Sequence, residues 1–341
     1  MTVGVAVLGC AHVSHAWSYA RALSLSPTAQ LVGVFDVTPQ LSEPFAHDFD
    51  APVYPDAAAL VEAAEVDAVV VCSATADHRA HVEMAAERGR HVLCEKPLAT
   101  TLHDARAMIA ACQRGGVQLH CAFVSRFLPL VQQARAVLQA GDIGDAIGMV
   151  AGNRGRPPLP PQYPDWITSP TQAGGGALID HSVHLTDVLR HLTAREVRRV
   201  GAEVDSVLWG LGVDDVALMT MTFDGGAVAS IDPSWSVPAG NPWDYDFFCR
   251  ILGSTGSLSI TDTAESLQLV SRHIGAGLRN VGFGADADAA MIEAFVASIN
   301  AGSVLDPCAD GTDGLQALEV ALAGYESAHR RQMVDLPLAQ A

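Results

Sequence analysis

A short apolar run, Val3 to Leu8, leads into a glycine loop, a helical stretch to about Leu25, and a second apolar run ending on Asp36. Such β-branched runs, without polar alternation, are buried on both faces, as parallel strands are. The pattern repeats. Residues 56–64 read as a helix, 66–74 as a strand, and 78–88 as a helix that Gly89 ends. Residues 91–97 read as a strand, 101–114 as a helix behind a capping box opened by Thr101, and 117–123 as a last strand. Strands alternating with helices predict an α/β domain with a doubly wound parallel sheet. Ligands of such sheets bind beyond the carboxyl ends of the strands. Gly9, Asp36, Ser73, Glu95 and Arg126 all follow strand ends and are expected on one rim.

The order strand, glycine turn, helix, strand, acid is the dinucleotide-binding arrangement. A tight turn lets N–H groups at a helix N-terminus face a pyrophosphate. Aligned on GxGxxG, the positions read Gly9, Ala11 and Ser14, so one glycine of three is kept. His12 and His15 in this loop either contact phosphate or pack locally, and Gly9, Ala11, His12 and Val13 form the predicted phosphate loop. Asp36 can accept hydrogen bonds from the ribose hydroxyls and repel a 2′-phosphate. No Arg or Lys follows it in VTPQLSE, which favours NAD over NADP. Further along, Pro97 ends a strand and stiffens the chain, holding Lys96 over whatever binds at the rim. A lysine there can stabilise a developing alkoxide; the alternative is a surface lysine before a turn.

After a helix from about 130 to 140, the segment NRGRPPLPPQYPDW, 153–166, is too rich in proline to be helical. Trp166 there either stacks on a sugar face or anchors the loop. Strand-like stretches then follow without intervening helices, with a hairpin turn at Asp224, Gly225 and Gly226. They predict an antiparallel sheet in a second domain. The boundaries read as 1–123 and 124–341, with the final helix, 311–330, expected to pack back on the first domain.

The stretch GGGALIDHSVHLTD, 174–187, reads as a helix whose Asp180, His184 and Asp187 share one face. An acid one turn before a histidine can orient that ring as a general base; the bland alternative is a solvated helix face. His181 projects about 100° away from Asp180 on an ideal helix, so it is expected to reach substrate from another side. A metal held by Asp180, His181, His184 and Asp187 is the rival reading. No characteristic ligand spacing supports it, so no metal is predicted.

At 341 residues the chain is too long for one ordinary core. A formal net charge of −18 argues against nucleic acid and anionic membranes as partners. Seven scattered cysteines without a CxxC pair suggest free thiols in a reducing compartment. With no leader-like or membrane-spanning run, the expected location is cytoplasmic.

The glycine turn with Asp36, the runs VDAVVVCSATADH, AAERGRHVLCEKPLATT and CAFVSRFLP, GGGALIDHSVH with Asp187, and LGSTGSLSI together resemble the Gfo/Idh/MocA family. That family includes glucose–fructose oxidoreductase and inositol dehydrogenase. The resemblance implies an N-terminal Rossmann domain plus a C-terminal α/β domain with an open, mostly antiparallel sheet that carries homodimer or homotetramer contacts. It implies Lys96, Asp180 and His184 as catalytic residues, and Glu95, Lys96, Ser73 and His78 beside the cofactor. Arg126, Trp166 and His181 are the candidates for substrate contact. The implied activity is NAD-dependent oxidation of a secondary hydroxyl in a sugar, cyclitol or related polyol. Two alternatives stand beside it: transient oxidation by tightly held NAD during glycoside cleavage or elimination, and a non-catalytic ligand-binding regulator.

Overall fold

A computed structural model of the chain describes residues 2–160, 163–241, 243–261, 266–270, 278–282 and 285–339. Strands β1 (Val3–Leu8), β2 (Ala29–Phe35), β3 (Ala68–Val71), β4 (His91–Cys94) and β5 (Leu119–Cys121) alternate with five helices. These are α1 (Val13–Leu25), α2 (Pro39–Phe49), α3 (Ala57–Glu62), α4 (His78–Glu87) and α5 (Leu102–Gly115). The middle of the chain holds α6 (Pro129–Ala140), β6 (Ala146–Gly155), α7 (Pro170–Ala173), α8 (Ala177–Thr193), β7 (Val197–Asp205), β8 (Val216–Phe223) and β9 (Val228–Asp232). It continues with β10 (Tyr245–Gly253), β11 (Ser257–Thr261), β12 (Ser266–Val270) and β13 (Leu278–Gly282). The chain closes with α9 (Ala287–Ala301), β14 (Ala309–Asp310), α10 (Gly311–Arg330) and β15 (Val334–Asp335).

The chain forms two compact units, and their division is not the single cut that the sequence suggests. One comprises Met1–Phe127, Pro158–Gly176 and Ala287–Glu319; the other comprises Leu128–Pro157, Ala177–Asp286 and Val320–Ala341. In the first, the strand order is β14-β5-β4-β3-β1-β2, with β1 to β5 parallel and β14 antiparallel on one edge. Every residue of β1 and β3 is buried, the outcome their apolar runs dictate. α9 lies against α1, so Met291, Ile292 and Phe295 join Val5, Val7, Tyr19, Leu23 and Leu93 in one core. The first nine residues of α10 belong to this unit, and the remaining eleven to the other. α5 begins where the capping box places it, with Thr101 Oγ1 accepting from the Asp104 N–H at 3.1 Å. α2 is the helix that the sequence conceals, because Pro44 sits inside it; Phe45 is fully buried and meets Trp17 edge-on.

The second unit is built on a seven-stranded sheet in the order β11-β10-β6-β9-β8-β7-β15. All neighbouring pairs are antiparallel except β6 with β9, and β8 and β9 join through the Asp224–Gly226 turn. Met149, Ala151, Met219, Met221 and Ile231 are buried on the face that α8 packs against. The strands therefore alternate. Val150, Leu218, Val228 and Leu252 stand on the opposite face, each about half exposed, with Thr220, Thr222 and Ser230 between them. No helix among the described residues is long and apolar enough to cross a membrane.

Candidate active site

In the first unit, the chain leaves β1 at Gly9, whose φ is +90°. A Cβ at that position would lie 2.6 Å from the Ser73 nitrogen, so only glycine lets the turn pack against the end of β3. Asp36 fixes the turn from the other side: its carboxylate accepts from the Cys10 N–H at 2.5 Å and the Thr38 N–H at 2.7 Å. α1 then starts without a side-chain cap and with no acidic residue in its first turn. Its first N–H groups have no intrahelical acceptor, as at any helix start. A buried carboxylate beside an uncapped, unopposed helix N-terminus is a donor and acceptor set that fits the ribose and pyrophosphate of a dinucleotide. The absent second and third glycines are Ala11 and Ser14, small residues that leave the helix start intact.

Glu95, at the end of β4, is buried and bound on several sides. It accepts from His15 Nδ1 at 2.9 Å, from the Tyr19 hydroxyl, and from the Lys96 N–H at 3.0 Å. Burial alone would raise this carboxyl; the His15 ring, with His12 and Lys96, outweighs it and holds the group below the ordinary carboxylate range. Tyr19 is pushed well above the ordinary phenol by burial and then by Glu95. Lys96 is 5% exposed, so the rim lysine is a buried one rather than a solvated surface residue. Ser73 Oγ meets His81 Nδ1 at 2.9 Å.

Three predicted site residues have partners within the first unit. His78, expected beside the cofactor, is 1% exposed, and its two ring nitrogens lie 3.2 Å from the carbonyls of Leu98 and Ser73. It ties two rim loops together, and burial lowers its pKa. Arg126, expected beside substrate, has its guanidinium partners in the segment 308–313. It pairs with Asp313 at 3.0 Å and donates to the Cys308 carbonyl at 3.2 Å. Trp166 donates from Nε1 to the Ala11 carbonyl at 3.0 Å, which makes it an anchor of the proline-rich segment on the phosphate loop. Pro161 and Gln162 of that segment lie outside the described residues. All seven cysteines are buried free thiols, as the sequence suggests.

In the second unit, α8 carries the polar stripe. Its N-terminus is tied down by Asp214, whose Oδ2 accepts from the Leu178 N–H at 2.7 Å and whose Oδ1 accepts from the Tyr325 hydroxyl at 2.8 Å. Asp180 Oδ2 accepts from the Trp235 indole at 3.1 Å. His184 is 7% exposed and Asp187 is fully buried, so the stripe is not a solvated face. His181, a candidate for substrate contact, lies beside Asp180. Its ring turns back toward Asp180, with Nε2 3.2 Å from Oδ2, instead of reaching out from a separate side. Gly155 makes this possible, because a Cβ there would lie 2.5 Å from His181 Cε1; Tyr245 backs the ring at 6.1 Å. Directions 100° apart at Cα do not stop side chains of this length from meeting.

Sequence reasoning missed Trp235, Asp214 and Tyr19. Tyr19 was within reach of it, because it lies four residues after His15 on the same face of α1. Trp235 and Asp214 carry no such signal.

Residues 3–123 match a family model described as "Oxidoreductase family, NAD-binding Rossmann fold". Residues 131–259 match one described as "GFO/IDH/MocA C-terminal domain". The chain is 30% identical over 292 residues to myo-inositol 2-dehydrogenase of Thermotoga maritima, covering 83% of this chain and 84% of that one. It is 31% identical to an uncharacterized oxidoreductase of Bacillus subtilis over 211 residues, which spans 61% of this chain and 59% of the relative. The crystal structure of an oxidoreductase domain protein from Kribbella flavida superimposes with a TM-score of 0.83 at 25% identity, covering 99% of this chain and all of that one.

Proposed function

Because this chain belongs to the GFO/IDH/MocA oxidoreductase family, we propose that it oxidises a secondary hydroxyl of a sugar, cyclitol or related polyol with NAD as hydride acceptor. The observation that carries this reading is the phosphate turn: Gly9 packed on Ser73, Asp36 fixed by two N–H groups, and the uncapped start of α1. Asp36 would accept the adenosine ribose hydroxyls and repel a 2′-phosphate, which favours NAD over NADP. The match to a myo-inositol dehydrogenase supports a polyol as substrate.

When bound, NAD supplies the hydride acceptor. The remaining chemistry falls to side chains. His184 is assigned the proton of the reacting hydroxyl, and Lys96 is assigned its oxygen. The lysine ammonium is worth most in a dry site, where it stabilises the charge that develops on that oxygen. Asp180, shared between Trp235 and His181, keeps the polar stripe of α8 in one arrangement. The exposed apolar sheet face with Val150, Leu218, Val228 and Leu252 is assigned to homodimer or homotetramer contacts.

The test is Lys96→Met with NAD binding measured alongside turnover. We expect kcat to fall by about 100-fold or more, with the NAD Kd within about threefold of wild type. Unchanged turnover would remove Lys96 from the chemistry.

A further inference from the structure

We propose that Trp209 is the platform on which the C–H face of a cyclic polyol stacks. The role rests on the proposed oxidation of such a polyol and names a residue that holds it. Trp209 lies in the segment DSVLWGLGVDD, 205–215, which runs from the end of β7 to the start of β8. Val207, Leu208 and Trp209 follow one another there and are 65%, 49% and 40% exposed, so none of the three joins a core. Consecutive large apolar side chains left in solvent are costly unless a ligand or partner covers them. Of the five tryptophans, Trp209 is the most exposed.

The loop is held stiff. Asp215 is fully buried, and its carboxylate accepts from the N–H groups of Val207 at 2.9 Å, Leu208 at 3.1 Å and Trp209 at 2.7 Å. Three such bonds satisfy the buried acid and fix the backbone that carries the indole. An aromatic preorganised in this way loses little freedom when a ligand settles on it. The ring is fixed as well, because its Nε1 donates to the Trp235 carbonyl at 2.7 Å. Trp235 is itself fully buried; it donates its N–H to the Asp215 carbonyl at 2.9 Å and its indole to Asp180 at 3.1 Å. One residue thus separates the exposed indole from the acid of the α8 stripe, and all of these groups belong to the second unit. With its N–H satisfied, Trp209 has ring surface alone to offer, which suits C–H groups. Hydroxyls are left to the polar stripe, where the Asp180 side chain is 22% exposed. Trp166, the stacking candidate of the sequence, is less exposed and donates to Ala11 in the phosphate loop.

The test combines steady-state kinetics with tryptophan fluorescence on full-length wild type, Trp209→Ala and Trp209→Phe, using myo-inositol and a panel of cyclic polyols. We expect KM for the oxidised polyol to rise about tenfold or more in Trp209→Ala, with kcat within about threefold and part of the loss recovered in Trp209→Phe. Fluorescence is read with ADP-ribose in the dinucleotide site, so that no hydride moves. There we expect polyol to change the emission of the wild type and most of that change to vanish in Trp209→Phe. A merely structural role would move kcat, NAD affinity and thermal midpoint instead of KM alone. Unchanged KM and unchanged emission response in both variants would overturn the proposal. So would a changed oligomeric state by sedimentation with KM kept, which would assign the loop to subunit contact. Circular dichroism checks each variant; if Trp209→Ala is unfolded, the KM and emission of Trp209→Phe decide the matter. Turnover with wild-type KM in the variants counts against this proposal alone, and polyol-dependent emission from Trp209 without turnover counts against the proposed function alone.

Discussion

The two units place their polar groups by different means. In the first, Gly9, Asp36 and Glu95 each follow a parallel strand, and their partners come from the adjoining turn or helix: Cys10, Thr38, His15 and Tyr19. In the second, Asp180 and His181 sit on a helix, but the groups that hold them arrive from remote loops and strands: Trp235, Tyr245 and the gap at Gly155. A parallel α/β sheet converts sequence position into spatial position, because each strand end reaches the same rim. A helix stripe specifies only which side chains share a face. Which acid meets which histidine is left to the residues packed around it.

The sharpest way to break this comparison is to mutate the stripe. His184→Asn is expected to lower kcat by roughly 100-fold to 10,000-fold, the usual loss for a general base, while NAD binding is kept. His181→Asn is expected to cost about tenfold or less, because its ring contacts Asp180. Equal losses, measured by steady-state kinetics, would transfer the base to the histidine that contacts the acid. In the first unit, Asp36→Ala removes the acceptor of two N–H groups. Hydrogen bonds to a charged group are worth about 1.5–3 kcal/mol, so the NAD Kd should rise about 10-fold to 100-fold, with weaker discrimination against NADP. Fluorescence titration with both nucleotides measures this. An unchanged preference would show that Asp36 shapes the turn without reading the ribose.

A smaller effect tests the burial of the first unit. His120, on β5, lies under Phe295, and burial with His91 nearby lowers its pKa to about 4. The folded value lies below the ordinary histidine value, so the folded state prefers the neutral ring. The contribution to stability is full above about pH 6.5 and is lost as pH falls toward 4. It amounts to roughly 3 kcal/mol. Denaturant midpoints at several pH values should therefore fall less steeply in His120→Gln than in wild type over that window.

Legibility in the sequence followed the same division. Val3–Leu8 reads as a strand and is one, because a buried parallel strand needs no information beyond its own apolar run. Asp36 and Glu95 are legible from their place after strands, whereas Pro44 conceals α2 by imitating a loop signal. The side-chain directions of His78, Arg126 and His181 were not legible. Each is decided by a partner elsewhere in the chain: the Leu98 carbonyl for His78, Asp313 for Arg126, and the missing Cβ of Gly155 for His181. The hairpin at Asp224 was legible because its turn chemistry is local. The parallel pairing of β6 with β9 was not, since no local signal selects a strand's neighbour.

The central claim is tested most directly by following NADH absorbance while nucleotide-free protein is given NAD and a panel of cyclitols and sugars, with NADP in parallel. The account predicts NADH formation with at least one cyclic polyol, a much lower rate with NADP, and loss of the signal in His184→Asn. A chain that binds no dinucleotide, or that oxidises its polyol equally well with His184 replaced, would contradict it.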